Sequence, residues 1–209
     1  MDARHINIIN NIKLATQHRG GVLANMINED KLLSIFNTKG YYLVPAKREK
    51  DPVRCDAGIC YAFVSKNSKA YAASADYEKL ISNMVQVTPT SDNYELIIVF
   101  EDNNGSGLDM KACKIMEKTP NYYIKNTTSI KFVIDVRAHS RSSVHTIVDK
   151  SEIDEFCANS KCLSSSFPQI IDTDSQAIWL GARPGMFIRI ERICENAGVT
   201  TVYRKCVKG

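Results

Sequence analysis

Residues 174–207 leave the chain little conformational choice, because four local signals follow one another there at short spacings. Asp174 stands where a carboxylate can accept a free N–H of a first helical turn, and Ala177, Ile178 and Leu180 give that short helix one apolar face. Gly181 supplies the left-handed residue that ends it. Pro184-Gly185 suits a type II turn, Pro fixing φ at the second position and Gly tolerating positive φ at the third. Over residues 186–193, Ile188 and Ile190 alternate with Arg189 and Glu191, which predicts a strand with one buried face. A turn at 195–198 then returns the chain as a second strand, 199–207. The product is a compact helix-plus-hairpin module with charge on its outer face.

The preceding periodicities ask for a mixed α/β body. Ile8, Ile9, Ile12 and Ala15 form one stripe of an opening helix that Gly20-Gly21 stops. A second helix is expected after Asn28, with Glu29 and Asp30 in its first turn and Leu32, Leu33, Ile35 and Phe36 as its apolar residues. Strands are expected at 41–44 and 59–64, with a turn at 66–69. Tyr77, Leu80, Ile81 and Met84 recur at helical spacing, so residues 76–87 should form an amphipathic helix that ends before Pro89. Tyr94–Phe100 reads as a continuous apolar strand of the kind buried on both faces. An acidic loop follows at 101–107, then a helix at 109–118 with Met110, Cys113 and Met116 inward, then a strand at 130–136. In that strand Phe132, Ile134 and Val136 alternate with Lys131, Val133 and Asp135. Ser151 and Asp154 resemble a capping box for a helix carrying Ile153 and Phe156, and a Ser-rich connector occupies 163–166. Polar and Arg-containing residues near 137–143 mark a boundary between domains 1–138 and 139–209.

Composition narrows the function classes. The chain has 209 residues, 44% hydrophobic and 24% charged, which suits one large or two small soluble domains. Its longest apolar run, 96–100, is too short to span a bilayer, and residues 1–19 carry no signal-peptide core, so a soluble intracellular protein is expected. The formal net charge of +4 permits nucleic-acid contact without demanding it. Lys47, Arg48, Lys50 and Arg54, around Pro45 and Pro52, form a basic stretch that reads either as a solvated loop or as a surface for a phosphate backbone. Seven cysteines, an odd number spread along the chain, read as reduced thiols. Cys55/Cys60 and Cys157/Cys162 each enclose four residues, with His139 and His145 between the pairs. The tight two-residue spacing of zinc ribbons is missing, and no metal or other cofactor is expected. No Gly-rich phosphate loop, nucleophile elbow or His-Glu-x-x-His helix appears. A metal-dependent nuclease would need converging carboxylates and a Lys; Asp92 and Glu95 flank the apolar strand, but no Glu-x-Lys completes the set.

In order and spacing, the Asp-capped helix, the Gly181-Ala182-Arg183-Pro184-Gly185 turn, the Ile188-Arg189-Ile190 strand, the Ala197-Gly198 turn and Tyr203-Arg204 resemble the C-terminal assembly domain of the fifth-largest shared subunit of eukaryotic RNA polymerases. The module is also similar to the small archaeal polymerase subunit of the same family. His139 and His145 match the paired histidines that open that domain, Arg19-Gly20-Gly21 resembles the link between the family's first two helices, and residues 95–100 resemble the central strand of its N-terminal domain. The sequence departs from the family at Ser143, Ser175 and Ile178.

The resemblance implies an α+β protein, with a restriction-nuclease-like but non-catalytic N-terminal jaw and a small C-terminal assembly domain. It implies no enzymatic activity of the chain's own, docking on the largest polymerase subunit, and weak non-specific proximity to downstream double-stranded DNA. On that reading Trp179, Arg183, Arg189, Arg192, Tyr203 and Arg204 are the expected partner-binding residues, and Lys47, Arg48, Lys50 and Arg54 the DNA-proximal ones. The departures and the longer acidic loop would suit the polymerase of a large cytoplasmic DNA virus of the African swine fever type. The location would then be host cytoplasm and virion, against the nucleus for a cellular subunit. The alternative is a free-standing nucleic-acid-binding or degenerate nuclease-like protein of the same fold.

Overall fold

The computed structural model describes residues 3–24, 34, 36–51, 53–65, 68–101, 106–138, 142–194 and 198–209. The protein is α+β, and the chain divides into two compact units, Met1–Ile134 and Asp135–Gly209.

Unit 1 is built on a five-stranded sheet in the order β1-β2-β3-β4-β5, formed by Gly21–Leu23, Tyr41–Arg48, Ala57–Val64, Tyr94–Phe100 and Tyr122–Thr128. β1, β2 and β3 pair antiparallel, whereas β3, β4 and β5 run parallel. Parallel neighbours require crossover connections. Two helices supply them, α3 (Asp76–Val87) between β3 and β4, and α4 (Ser106–Lys118) between β4 and β5, with a short α2 (Ser68–Ala73) ahead of α3. One face of the sheet, including Cys60, Ala62, Val64, Leu96, Ile98 and Phe100, packs with Tyr77, Leu80, Ile81 and Met84 of α3 and Leu108 and Ala112 of α4. Strand alternation sends Ile59, Tyr61, Phe63, Ile97 and Val99 to the opposite face, the side of α1 (Ala3–His18), which buries Ile8, Ile9, Ile12 and Ala15. Covered on both sides, β4 is the doubly buried strand its composition predicts.

Several expectations need correction. The strand expected at 130–136 does not form: the last strand of this sheet is β5, and Ser129–Phe132 is a 3-10 turn. Phe132 is the buried apolar anchor there, with Ile130 and Ile134 exposed. The Asn11 and Asn7 side-chain amides donate to the Phe132 and Val133 carbonyls at 2.8 Å each, taking acceptors that a ladder would use. In α4 the inward stripe is Leu108, Ala112, Ile115 and Met116, spaced i, i+4, i+7, i+8 on one helix face, while Met110 and Cys113 lie off that face and are exposed. Of the second expected helix, residues 25–33 and 35 lie outside the described residues, and 36–39 are helical. Residues 66–67, 102–105, His139 and 195–197, which carry parts of other expectations, also lie outside them.

Unit 2 holds a four-stranded sheet in the order β6-β8-β9-β7, from Val144–Val148, Phe187–Cys194, Gly198–Val207 and Gln169–Ile171. Its helices are α5 (Lys150–Ser160) and α6 (Ser175–Leu180). Asp174 caps α6, accepting from the Gln176 N–H at 2.8 Å, and Gly181 ends it at φ 75°, in the left-handed region. Met186 N–H donates to the Arg183 carbonyl at 3.0 Å across the Pro184-Gly185 turn. α5 is capped by Asp149, which accepts from the Glu152 N–H at 2.9 Å; Ser151 instead donates its hydroxyl to Asp149. Asp149 has the free carboxylate one residue ahead of the helix, where the orphan N–H groups point. Among the described residues, no helix is long and apolar enough to cross a membrane.

Candidate interaction surfaces

The basic stretch of unit 1 does not stay together. β2 extends through Lys47 and Arg48, and strand alternation turns their side chains to opposite faces. Arg48 is buried on the α1 side, 2% exposed, and donates to Glu95 at 2.6 Å and to the Cys55 carbonyl at 3.2 Å. Arg19, just beyond α1, reaches the other Glu95 oxygen at 3.3 Å, its guanidinium 5.3 Å from the centre of the Tyr61 ring. Burial pushes the Tyr61 phenol up to about 12. Arg48 is therefore a core residue and not part of a surface for DNA. Arg54 is half-buried and clamps Asp51 at 3.0 Å. Burial alone would raise the Asp51 carboxyl, but the Val53 and Arg54 N–H groups and the Arg54 guanidinium hold it below the usual range. Lys47, 3.7 Å from Glu49, and the exposed Lys50 remain as solvent-facing cations of that stretch.

The buried Arg19–Glu95–Arg48 triad went unseen in the sequence, where the three positions are far apart and Glu95 reads as a flank of the apolar strand. It also occupies the carboxylate that a nuclease reading would need. Both Glu95 oxygens are engaged by guanidinium groups, and among the described residues no group of three or more His, Cys, Asp or Glu side chains is arranged to hold a metal ion.

In unit 2 the expected partner-binding residues separate into three environments. Trp179 is fully buried, so its indole is core and not an exposed anchor. Arg189 and Tyr203 are paired in register across β8 and β9 and so share one face of the hairpin. Both donate to the same Glu152 oxygen of α5 at 2.9 Å, and Arg189 also lies 3.3 Å from Glu191. The Tyr203 phenol is pushed up, first by burial and then by Glu152. Phe156, Phe167, Phe187 and Tyr203 form an aromatic cluster on that side, with the Phe156 and Tyr203 ring centres 4.7 Å apart. Arg204 pairs with Ile188 and therefore faces the other way, as does Arg192. Arg192 is exposed and Arg204 half-buried. Arg183 is half-buried in the turn after α6.

On the Arg204 side, His145 Nδ1 lies 2.8 Å from the Ser143 carbonyl oxygen; opposite that acceptor, the ring nitrogen carries the proton and donates. Desolvation holds this imidazole below its ordinary value, against the Ser143 bond and Asp174, with Arg192 and Arg204 adding to the depression. The residue that sequence reasoning missed here is Glu152. Its signal was present as Asp149 followed three positions later by Glu152, the pattern of a capped helix start.

Comparison with known proteins agrees with this architecture. A family model described as RNA polymerase Rpb5, C-terminal domain, matches residues 134–206. The chain is 26% identical over 192 residues to a DNA-directed RNA polymerase RPB5 homolog of African swine fever virus from a Malawi tick isolate, covering 90% of this chain and 89% of the relative. It is 27% identical over 93 residues to subunit RPABC1 of RNA polymerases I, II and III of Caenorhabditis elegans, covering 44% of each chain. With the RNA polymerase subunit Rpo5 of Thermococcus celer it shares 32% identity over 74 residues, 35% of this chain and 90% of the archaeal one. With the archaeal subunit matched along almost its whole length, the chain belongs to the Rpb5 family.

Proposed function

We infer that the protein is a non-catalytic subunit of a multisubunit DNA-directed RNA polymerase. Unit 2 docks on the largest subunit, and unit 1 serves as the lower jaw beside downstream DNA, a restriction-nuclease-like fold put to structural use. One observation carries the reading: similarity to viral proteins named as RNA polymerase RPB5 homologs runs over 90% of the chain, a span that must include both units. Nucleotide addition then belongs to the large subunits, in keeping with a Glu95 carboxylate already neutralised by two arginines.

The docking surface is drawn from the exposed Arg192, the half-buried Arg183 and Arg204, and the Arg189–Glu152–Tyr203 face. Lys47 and Lys50 are left as the DNA-proximal cations of their stretch, and two cations support only weak, non-specific contact. The viral relative matches along most of the chain and the nematode one along 44%, which favours a viral enzyme working in host cytoplasm and carried in the virion over a nuclear one.

The test is a tagged pull-down from the native source, washed at high salt with nuclease present. Recovery of the two largest polymerase subunits in stoichiometric amounts is expected. Recovery of this chain alone, with strong salt-dependent DNA binding by the isolated protein, would sink the reading in favour of a free-standing nucleic-acid-binding protein.

A further inference from the structure

The C-terminal end of α5 closes with Lys161 in the left-handed conformation at φ 50°, the one non-glycine residue with positive φ among the described residues. The Lys161 and Cys162 N–H groups both return to the Cys157 carbonyl, the latter at 3.2 Å. The Cys162 bond is the outer bond of a Schellman-type end and the Lys161 bond that of an αL end, and a contact between the side chains of the two residues joined by the outer bond commonly accompanies such an end. In most helices the contact is between two apolar groups. Here both are thiols, with Cys157 Sγ and Cys162 Sγ 4.0 Å apart. Each is half-buried, so both keep some access to solvent. The backbone bond from Cys162 to Cys157 thus already closes the loop that a disulfide would close, with the sulfurs 4.0 Å apart against a bond length of about 2.05 Å.

We propose that Cys157 and Cys162 are a reversible dithiol–disulfide site, oxidised by a peroxide and reduced by cellular thiols, that locks the end of α5 to the connector leading to β7. One thiolate attacks a peroxide oxygen, leaving a sulfenic acid and releasing water once protonated. The second thiolate displaces that hydroxyl, which leaves as a second water. Two thiols and one hydrogen peroxide become one disulfide and two waters, with two electrons passing from sulfur to oxygen. The connector carries Phe167, whose ring lies 5.8 Å from that of Phe156 on α5 and 5.7 Å from that of Phe187 on β8. Oxidation therefore fixes the aromatic side of unit 2, the side that also presents Arg189 and Tyr203.

Lys161 makes the experiment direct, because trypsin cuts after it and separates the two cysteines. The full chain is titrated with hydrogen peroxide, free thiols are alkylated, and the unreduced digest is read by mass spectrometry. Expected is a loss of about 2 Da and a linked species joining the peptide that ends at Lys161 to the one that begins at Cys162. It should reverse with glutathione, whereas the exposed Cys55 and Cys113 take up single adducts and no link to each other. Cys157→Ser and Cys162→Ser should each abolish it while the digest stays otherwise unchanged. The proposal is overturned if Cys157 and Cys162 are still alkylated when Cys55 and Cys113 are fully oxidised, if each acquires a separate adduct, or if they link to other cysteines.

Discussion

Replacing Glu95 by Gln removes the one negative charge between two buried guanidinium groups while keeping the side-chain shape. Arg19, Arg48 and Glu95 have side chains only 2–3% exposed, so bulk water does not screen what is left behind. The 2.6 Å bond to Arg48 loses its charge assistance. An amide in place of the carboxylate must also turn its NH2 toward one of the two arginines, donor against donor. Breaking a buried pair by removing one partner costs about 3–5 kcal/mol, and here two cations share the loss, so about 4 kcal/mol is the expected penalty. With a urea m-value near 2 kcal/mol/M, that lowers the unfolding midpoint of unit 1 by about 2 M.

Urea titration of the full chain by far-UV circular dichroism reads the shift. The single tryptophan, Trp179, belongs to unit 2, so its fluorescence followed in parallel reports on that unit separately. Raising NaCl from about 0.05 to 0.5 M should leave the difference between wild type and variant nearly unchanged, because the charges are buried. The triple replacement Arg19→Met, Glu95→Leu, Arg48→Met should recover most of the stability, since apolar groups of similar volume need no compensating charge. A midpoint shift under about 0.5 M for Glu95→Gln, or a shift that salt erases, would refute the assignment of these residues to a buried triad.

Trp179→Ala empties a fully buried site and should cost about 3–5 kcal/mol, read as a lower melting temperature for unit 2; a loss under about 1 kcal/mol would mean the indole is not core. Gly181→Ala places a side chain at φ 75° and should cost about 1–2 kcal/mol in the same melt. His145 is held neutral by the fold, so the unfolded chain binds the extra proton first as pH falls: its stabilisation is intact above the ordinary imidazole range near pH 6.5 and is lost as pH falls toward the depressed folded value. His145→Asn should therefore lose less stability than wild type between about pH 7.5 and 5.5, measured by thermal melts at each pH. If Lys47 and Lys50 touch DNA, Lys47→Ala with Lys50→Ala should weaken binding by the assembled polymerase and reduce its salt slope by about one per residue, as read by fluorescence anisotropy.

What could be read from the sequence was local. Asp174 and Gly181 bracket α6, Pro184-Gly185 turns the chain, and Ile188/Ile190 against Arg189/Glu191 set the face of β8; every cause lies within a few residues of its effect. The same holds for α3, whose stripe of Tyr77, Leu80, Ile81 and Met84 is buried. The failures are of another kind. β5 has one buried residue in seven and little alternation, because a parallel edge strand is specified by its neighbour and not by its own pattern. Residues 130–136 do alternate, but the sheet's last strand has already formed upstream, and the two asparagines of α1 hold the carbonyls there. Arg48 sits among surface-type residues in sequence, and nothing near it announces a partner on β4.

This difference explains why the family is most plainly written in unit 2. A left-handed residue, a type II turn and a capping carboxylate each tolerate few substitutes, and their spacing cannot drift without moving the strands they connect. The core of unit 1 is under a weaker rule. Leu96, Ile98 and Met84 need only apolar side chains of suitable total volume, and such cores accept many simultaneous exchanges. A family description confined to residues 134–206, beside 26% identity spread over 192 residues, is the outcome expected when one unit is held by turn geometry and the other by packing. The buried triad marks the exception within unit 1. A buried charge triad admits few replacements one residue at a time, so Arg19, Arg48 and Glu95 should change together or not at all among close relatives.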